Sequence, residues 1–262
     1  MDFRYYELPD DRNLLVLESV IRLYTERAEP VSSAAVARDL QHRWSSATVR
    51  NTFGELERQG WLMQPHRASG RVPTDRGYRV YVERIVRPGQ PHPAWERLVH
   101  SEVDPRRGSL AESLDRAASL LSRVSHALGM SLLVLAPGPE AEADADAVSI
   151  TGVDELLGQP EFDDPGRLKV LIHLLDDASA FGRYLRALAD PPGEVRLRIG
   201  QENAMEGLST FTVVTSRIHH SDGTALMGLL GPVRMQYSLV LGAMDSLVRL
   251  LHSRSGQPRH WS

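Results

Sequence analysis

The sequence predicts an α+β protein in two parts, a winged helix-turn-helix at the N-terminus and a second α+β domain after it. Three observations carry this reading. Two short helical stripes lead into a Ser-capped helix with a polar face, a Gly- and Arg-bearing hairpin follows that helix directly, and the second half runs through a helix, strands, a hairpin and a last helix.

The first stripe is Leu14, Leu17, Ile21 and Tyr24, an apolar face at helical spacing. Pro30-Val31-Ser32-Ser33 then caps a second short helix ending near Leu40. Ser45 or Ser46 caps the third, because a Ser hydroxyl accepts an orphan backbone N–H of the first turn. Val49, Phe53 and Leu56 fall on one side of it. At about 100° per residue the other side carries Ala47, Arg50, Asn51, Gly54 and Arg58, with Ser46 and Thr48 at the exposed N-terminal end. Arg pairs with guanine O6 and N7, Asn with adenine N6 and N7, and Thr or Ala touches a thymine methyl, so this face suits a major groove. An amphipathic helix whose polar side is merely solvated has the same pattern, and the neighbours have to separate the two. Gly54 is the odd member: mid-helix it costs about 1 kcal/mol relative to Ala, tolerable if something must approach that face closely.

The neighbours favour the reading helix. Gly60 suits a helix C-terminal cap, Trp61-Leu62-Met63 reads as a strand and Val72 opens the returning one. Pro65, His66, Arg67, Ala68, Ser69, Gly70 and Arg71 lie between them, a loop polar and basic enough to follow the DNA backbone or reach a minor groove, although a plain surface hairpin has similar residues. Thr74 caps a closing helix from Asp75 to Val86 with Tyr78, Tyr81, Val82 and Ile85 on its buried side. The candidate DNA-binding residues are therefore Arg43, Ser45, Ser46, Thr48, Arg50, Asn51, Arg67, Ser69 and Arg71. Arg50, Asn51 and Ser46 are expected to read bases; Arg43, Arg67, Ser69 and Arg71 are expected to engage phosphates or the minor groove.

Charge is distributed to match. Residues 38 to 87 hold ten Arg against five acidic residues, whereas the chain as a whole is at −4 and the part from residue 88 carries sixteen basic and twenty-two acidic residues. The absence of Cys rules out disulfides, thiolate metal sites and Cys nucleophiles, which fits a reducing cytoplasm. No signal peptide or membrane span is visible, since the apolar runs fall well short of about 18 residues.

The second half begins after "RPGQPHPAW", Arg87 to Trp95, where three Pro residues forbid a continuous helix and mark a joint. Residues 88–108 are expected to be a linker. Leu110, Leu114, Ala117, Leu121, Val124 and Leu128 then recur at helical spacing, with Gly129 ending the helix before a strand at Ser131 to Leu135. Strands follow near Val195 to Ile199 and at Phe211 to His219, turning at Ser221-Asp222-Gly223 into Ala225 to Leu230, and a last helix runs from about Val233 to Ser253. The domains read as 1–87, 109–255 and a short tail, 256–262.

Catalysis finds little support. The ten His include no short ligand pair, and a strand would point His219 and His220 to opposite faces. Gly228 and Gly231 lack the P-loop Lys and the dinucleotide fingerprint, which leaves a tight turn into the last helix. No Ser sits in a G-x-S-x-G elbow. No catalytic residue, cofactor or metal site is expected.

The run "EPVSSAAVA…SSATVRNTFGELERQGWLMQPHRASGRVPTDRGYRVYV" resembles the N-terminal domain of the HrcA family of heat-inducible transcription repressors. "IGQEN" at Ile199 to Asn203, "VVTS" at Val213 to Ser216 and "GLLGPVRMQYSLVLGAMD" at Gly228 to Asp245 are similar to its C-terminal part. The resemblance implies a GAF-like second domain, an inverted-repeat operator in double-stranded DNA, repression of chaperone operons, and dependence on a GroEL-type chaperonin. It also implies a cytoplasmic, nucleoid-associated protein. Between Ala136 and Ser149 the chain has only the short acidic "PGPEAEADADAV", where longer members carry further sheet strands and an inserted dimerisation domain, so that domain is expected to be reduced or absent.

An inverted repeat demands a dimer, and the last helix offers a surface. Tyr237, Val240, Leu241, Met244, Leu247, Val248 and Leu251 form the stripe expected to pack on its own sheet. Met235, Leu239, Gly242, Ala243, Ser246 and Leu250 lie on the other side and are the candidate homodimer interface, unless the Leu110 to Leu128 helix covers them within one subunit. Two other functions share these sequence features: a small-molecule-responsive regulator with the same N-terminal half, and a protein-interaction adaptor that does not bind DNA.

Overall fold

Helix capping and apolar periodicity place the elements of the first half where the sequence expects them. The computed structural model describes residues 11–86, 93–103, 108–135, 149–189, 194–220 and 223–252. The chain divides into two compact units, Met1–Arg87 and Pro88–Ser262. The acidic segment 136–148, the Ser221-Asp222 turn and the 256–262 tail lie outside the described residues.

In the first unit α1 (Asp11–Arg27), α2 (Ser33–Asp39) and α3 (Ser46–Arg58) are followed by β1 (Leu62–Met63), β2 (Val72–Pro73) and α4 (Asp75–Arg84). Ser32, Ser45 and Thr74 cap α2, α3 and α4, each accepting from a backbone N–H three residues on. Val16, Leu17, Val20, Val36, Val49, Phe53, Leu56 and Tyr78 are buried together as the core. Asp39, at the end of α2, accepts from Ser19 and Arg22 of α1, which fixes the first two helices to each other. Gln41 and His42 adopt left-handed backbone conformations in the turn between α2 and α3. Gly77 is pressed against β1: a Cβ there would lie 2.1 Å from the Trp61 carbonyl oxygen.

The second unit is built on an antiparallel five-stranded sheet of order β4-β3-β7-β6-β5: β3 (Leu128–Leu135), β4 (Ser149–Thr151), β5 (Val195–Ile199), β6 (Phe211–His220) and β7 (Gly223–Pro232). Strand alternation separates its two faces. One face carries Gly129, Ser131 and Thr212, and meets α6 (Leu110–Ser125) and α10 (Tyr237–His252): Ser131 donates to Asp115 at 2.6 Å and the hydroxyls of Thr212 and Tyr237 lie 3.0 Å apart. The other carries Leu128, Met130, Phe211, Val213 and Leu230. Leu156 of α7 (Val153–Leu157), Phe162 of a 3-10 turn (Pro160–Asp163), Leu171 and Leu174 of α8 (Pro165–Asp176), and Phe181 and Leu185 of α9 (Ala178–Leu188) pack onto it. Arg234 crosses the end of this arrangement, donating to both carboxylate oxygens of Glu161 at 2.6 and 2.9 Å and to Gln159 at 3.2 Å.

Three expectations are corrected. Residues 88–108 are not linker throughout, because Pro93 opens a helix, α5 (Pro93–Glu102), as Pro does well at a first helical position. Val99 and Val103 are buried, and Glu102 accepts from Arg123 of α6. Gly129 does not stop α6. The left-handed His126 does, and Gly129 lies in β3, where a Cβ would stand 2.1 Å from the Ala118 carbonyl oxygen of the helix above. Gly228 and Gly231 belong to β7 rather than to a turn into α10. The segment with α7, α8 and α9 had no assignment from sequence.

Asn203 of "IGQEN" is buried, with its amide nitrogen 2.9–3.1 Å from the carbonyls of Gly200, Leu208 and Phe211 and its oxygen accepting from Tyr184. That block closes the turn between β5 and β6 and is structural. Among the described residues no helix is long and apolar enough to cross a membrane, and no group of three or more His, Cys, Asp or Glu is placed to hold a metal ion.

Candidate nucleic-acid interface

α3 buries Val49, Thr52, Phe53 and Leu56 and leaves Ala47, Arg50, Asn51 and Arg58 exposed. Among the described residues the side chains of Arg50, Asn51 and Arg58 make no hydrogen bond or ion pair, so their donors are open to a partner. Gly54 lies between them along the helix, and a Cβ built on it meets nothing within 4 Å.

The hydroxyls at the start of α3 hold the helix in place. Ser45 Oγ accepts from the Thr48 backbone N–H at 3.1 Å and lies 3.0 Å from Thr48 Oγ1. Ser46 Oγ is 2.9 Å from the hydroxyl of the buried Ser33, tying α3 to α2. Ser46, expected to read a base, thus has a partner inside the protein. Arg43 is exposed, its guanidinium 4.8 Å from the centroid of the Trp44 ring, a cation–π contact.

The hairpin divides its residues in the same way. Arg67 is exposed at the tip without a side-chain partner among the described residues, next to Ala68 in a left-handed conformation. Ser69 Oγ accepts from the His66 N–H at 3.1 Å and donates to the His66 carbonyl at 2.6 Å, closing the tip on itself. Arg71 turns inward. Its Nε and Nη2 donate to Glu57 Oε2 of α3 at 3.2 and 3.0 Å. Sequence reasoning missed Glu57, and no local period could have found it, because fourteen positions and a hairpin separate it from Arg71.

The candidate interface thus comprises four exposed basic side chains, Arg43, Arg50, Arg58 and Arg67, with the exposed Asn51 beside Arg50, on α3, the turn before it and the hairpin. The last helix starts at Tyr237 rather than near Val233, so Met235 lies in the bend ahead of it; Met235 and Ala243 are both buried within their own subunit and are not available to a partner. Leu239 is 37% exposed and Ser246 and Leu250 are half-buried, whereas Gly242 is itself buried, although a Cβ built on it would meet nothing within 4 Å.

A solvent-facing helix bearing Arg and Asn beside a basic hairpin is the kind of surface that nucleic-acid-binding proteins present, and the relatives of this chain are transcription regulators. The family model described as the HrcA protein C-terminal domain matches residues 97–241, more than half of the chain, and the chain belongs to the HrcA family. Relatives include proteins named heat-inducible transcription repressor HrcA. The one from Ruminiclostridium cellulolyticum is 24% identical over 332 residues, covering 91% of this chain and 95% of its own. That from Thermosynechococcus vestitus is 27% identical over 348 residues, covering 93% and 98%. That from Lachnoclostridium phytofermentans is 38% identical over 122 residues, covering 47% and 32%. The first two alignments are longer than this chain of 262 residues, so those relatives carry segments it lacks. A solved structure described as a hypothetical protein superimposes with a TM-score of 0.77 at 18% identity, over 94% of this chain and 98% of that one, and shows the same fold.

Proposed function

We propose that the protein is a dimeric repressor of heat-shock genes that binds an inverted-repeat operator through α3 and the β1–β2 wing. Residues 1–87 form a winged-helix DNA-binding domain in this reading, and residues 109–255 a GAF-like regulatory and dimerisation domain. The observation that carries it is the set of unpartnered Arg50 and Asn51 side chains on the exposed face of a rigidly capped α3. Arg50 and Asn51 read bases; Arg43 and Arg67 engage phosphates, joined by Arg58, while Ser45, Ser46, Thr48 and Ser69 set the geometry. The strand order of the second unit, with helices on both faces, supports the GAF-like assignment. Phe162, Phe181, Leu208 and Phe211 fill one face of that sheet, which favours a scaffold over a small-molecule receptor.

The dimer uses the outer side of α10, narrowed to Leu239, Ser246 and Leu250, and the family's inserted dimerisation domain is reduced or absent. Leu239→Arg then gives a folded monomer with weakened operator binding; a folded dimer that still binds removes this surface from the interface. The GroEL-type chaperonin acts by keeping the chain folded, in the cytoplasm at the nucleoid. It therefore raises the active fraction without changing the dissociation constant of active molecules. Selection of binding duplexes from a random pool tests the function: the wild-type chain should enrich an inverted repeat, and enrichment of no common sequence would overturn the proposal.

A further inference from the structure

The β1–β2 ladder has only two residue pairs, Leu62↔Pro73 and Met63↔Val72. So short a hairpin does not hold its own direction. What holds it converges on Arg71. Its backbone exchanges two hydrogen bonds with Val31, just ahead of α2, at 2.9 and 2.8 Å. Gly70 permits this approach, since a Cβ there would lie 2.3 Å from the Val31 carbonyl oxygen. Its side chain, 17% exposed, donates twice to Glu57, 38% exposed, in the last turn of α3. One residue thus joins the lead-in to α2, the wing and the end of the reading helix.

This pairing decides what Arg71 can do. Its Nε and Nη2 are spent on Glu57 and the side chain is only 17% exposed, so little of the guanidinium is presented outward; were it to swing out to a phosphate, a bare carboxylate on α3 would be left to repel the DNA backbone. We infer that Arg71 is a positioning residue: with Glu57 it latches the wing to α3 at a fixed angle and neutralises the carboxylate, so that Arg67 alone carries the wing's charge to DNA. The inference rests on the proposed DNA-binding function and deepens it, and its test has a part that needs no DNA.

Duplexes enriched by the wild-type chain serve as probes, titrated at several salt concentrations, with Arg71→Ala, Arg71→Lys, Glu57→Gln and the double Arg71→Ala/Glu57→Gln. A latch predicts that Arg71→Ala and Glu57→Gln each weaken binding to the enriched duplex about tenfold, and that the double variant is no worse than the poorer single one. Arg71→Lys, which keeps the charge but not the paired donors, should lose nearly as much as Arg71→Ala. The slope of log affinity against log salt should stay unchanged. The inference is overturned if Glu57→Gln tightens binding, if Arg71→Lys matches wild type, or if Arg71→Ala lowers the slope by about 0.9, the value for one lost phosphate contact. Without DNA, amide exchange at Val31 and Arg71 should quicken about tenfold in Arg71→Ala and Glu57→Gln while α1 amides keep their protection. Unchanged exchange at those two amides refutes the latch whatever the DNA result, whereas a wild-type chain that enriches no duplex refutes the DNA-binding function instead.

Discussion

Replacing Gly54 by Ala sets fold stability against DNA binding in a single methyl group. In the middle of the thirteen-residue α3 a Gly gives up more backbone freedom on folding than Ala, a difference of about 0.5–1 kcal/mol. The new Cβ meets nothing within 4 Å, so no packing penalty offsets the gain. The unit containing α3 should melt roughly 2–8 °C higher, taking 4–8 °C per kcal/mol for a domain of its size. If DNA lies close against Arg50 and Asn51, the same methyl intrudes on that contact. An overpacked contact costs about 1–3 kcal/mol, which is roughly a 5- to 150-fold weaker operator complex. Circular-dichroism melts and anisotropy titrations on an enriched duplex give the two numbers. A variant that is more stable and binds as tightly as wild type would place Gly54 away from DNA; one that is less stable would refute the open space above it.

Asn51→Ala should cost about 1–3 kcal/mol at the base it contacts and relax preference at one operator position, and equal losses on operator and random DNA would remove it from base reading. Arg234→Ala leaves Glu161, 14% exposed, as an unpaired part-buried carboxylate, and should destabilise the second unit by about 1.5–3 kcal/mol in urea unfolding. Burial raises the phenol pKa of Tyr81, helped by Glu18, and burial likewise raises that of Tyr184. Folding therefore favours the neutral phenols: their stabilisation is full below the ordinary value near 10 and is lost as pH rises through the raised folded values, so melting temperatures should fall in that range.

The first unit was legible because its signals are local. A Ser or Thr ahead of α2, α3 and α4, an apolar stripe within the helices and a Gly after α3 are rules that act within a few residues, and α2, α3, α4, β1 and β2 lie close to where those rules put them. The free face of α3 followed from the same periodicity. The partners of the polar residues did not: Ser46 finds Ser33 on another helix and Arg71 finds Glu57 across a hairpin, and neither pairing leaves a trace in spacing. In the second unit apolar periodicity misled at Leu128, which continues the spacing of α6 but belongs to β3 because His126 turns the chain first. Asp164-Pro165 and Asp177 cap α8 and α9 and were signals that could have found them. The exposed side of α10 was half legible, since periodicity shows which residues share a side but not that the helix starts only at Tyr237, after Met235, nor that Gly242 and Ala243 are covered by the rest of the subunit.

The central claim, that α3 reads base sequence, is tested most directly by the ratio of dissociation constants for an enriched duplex and a scrambled duplex of the same length at physiological salt. The wild-type chain should prefer its selected duplex by about 10³ or more, and Arg50→Ala combined with Asn51→Ala should remove most of that preference while leaving binding to the scrambled duplex nearly intact. A wild-type preference below tenfold, or one that survives both substitutions, would contradict the account.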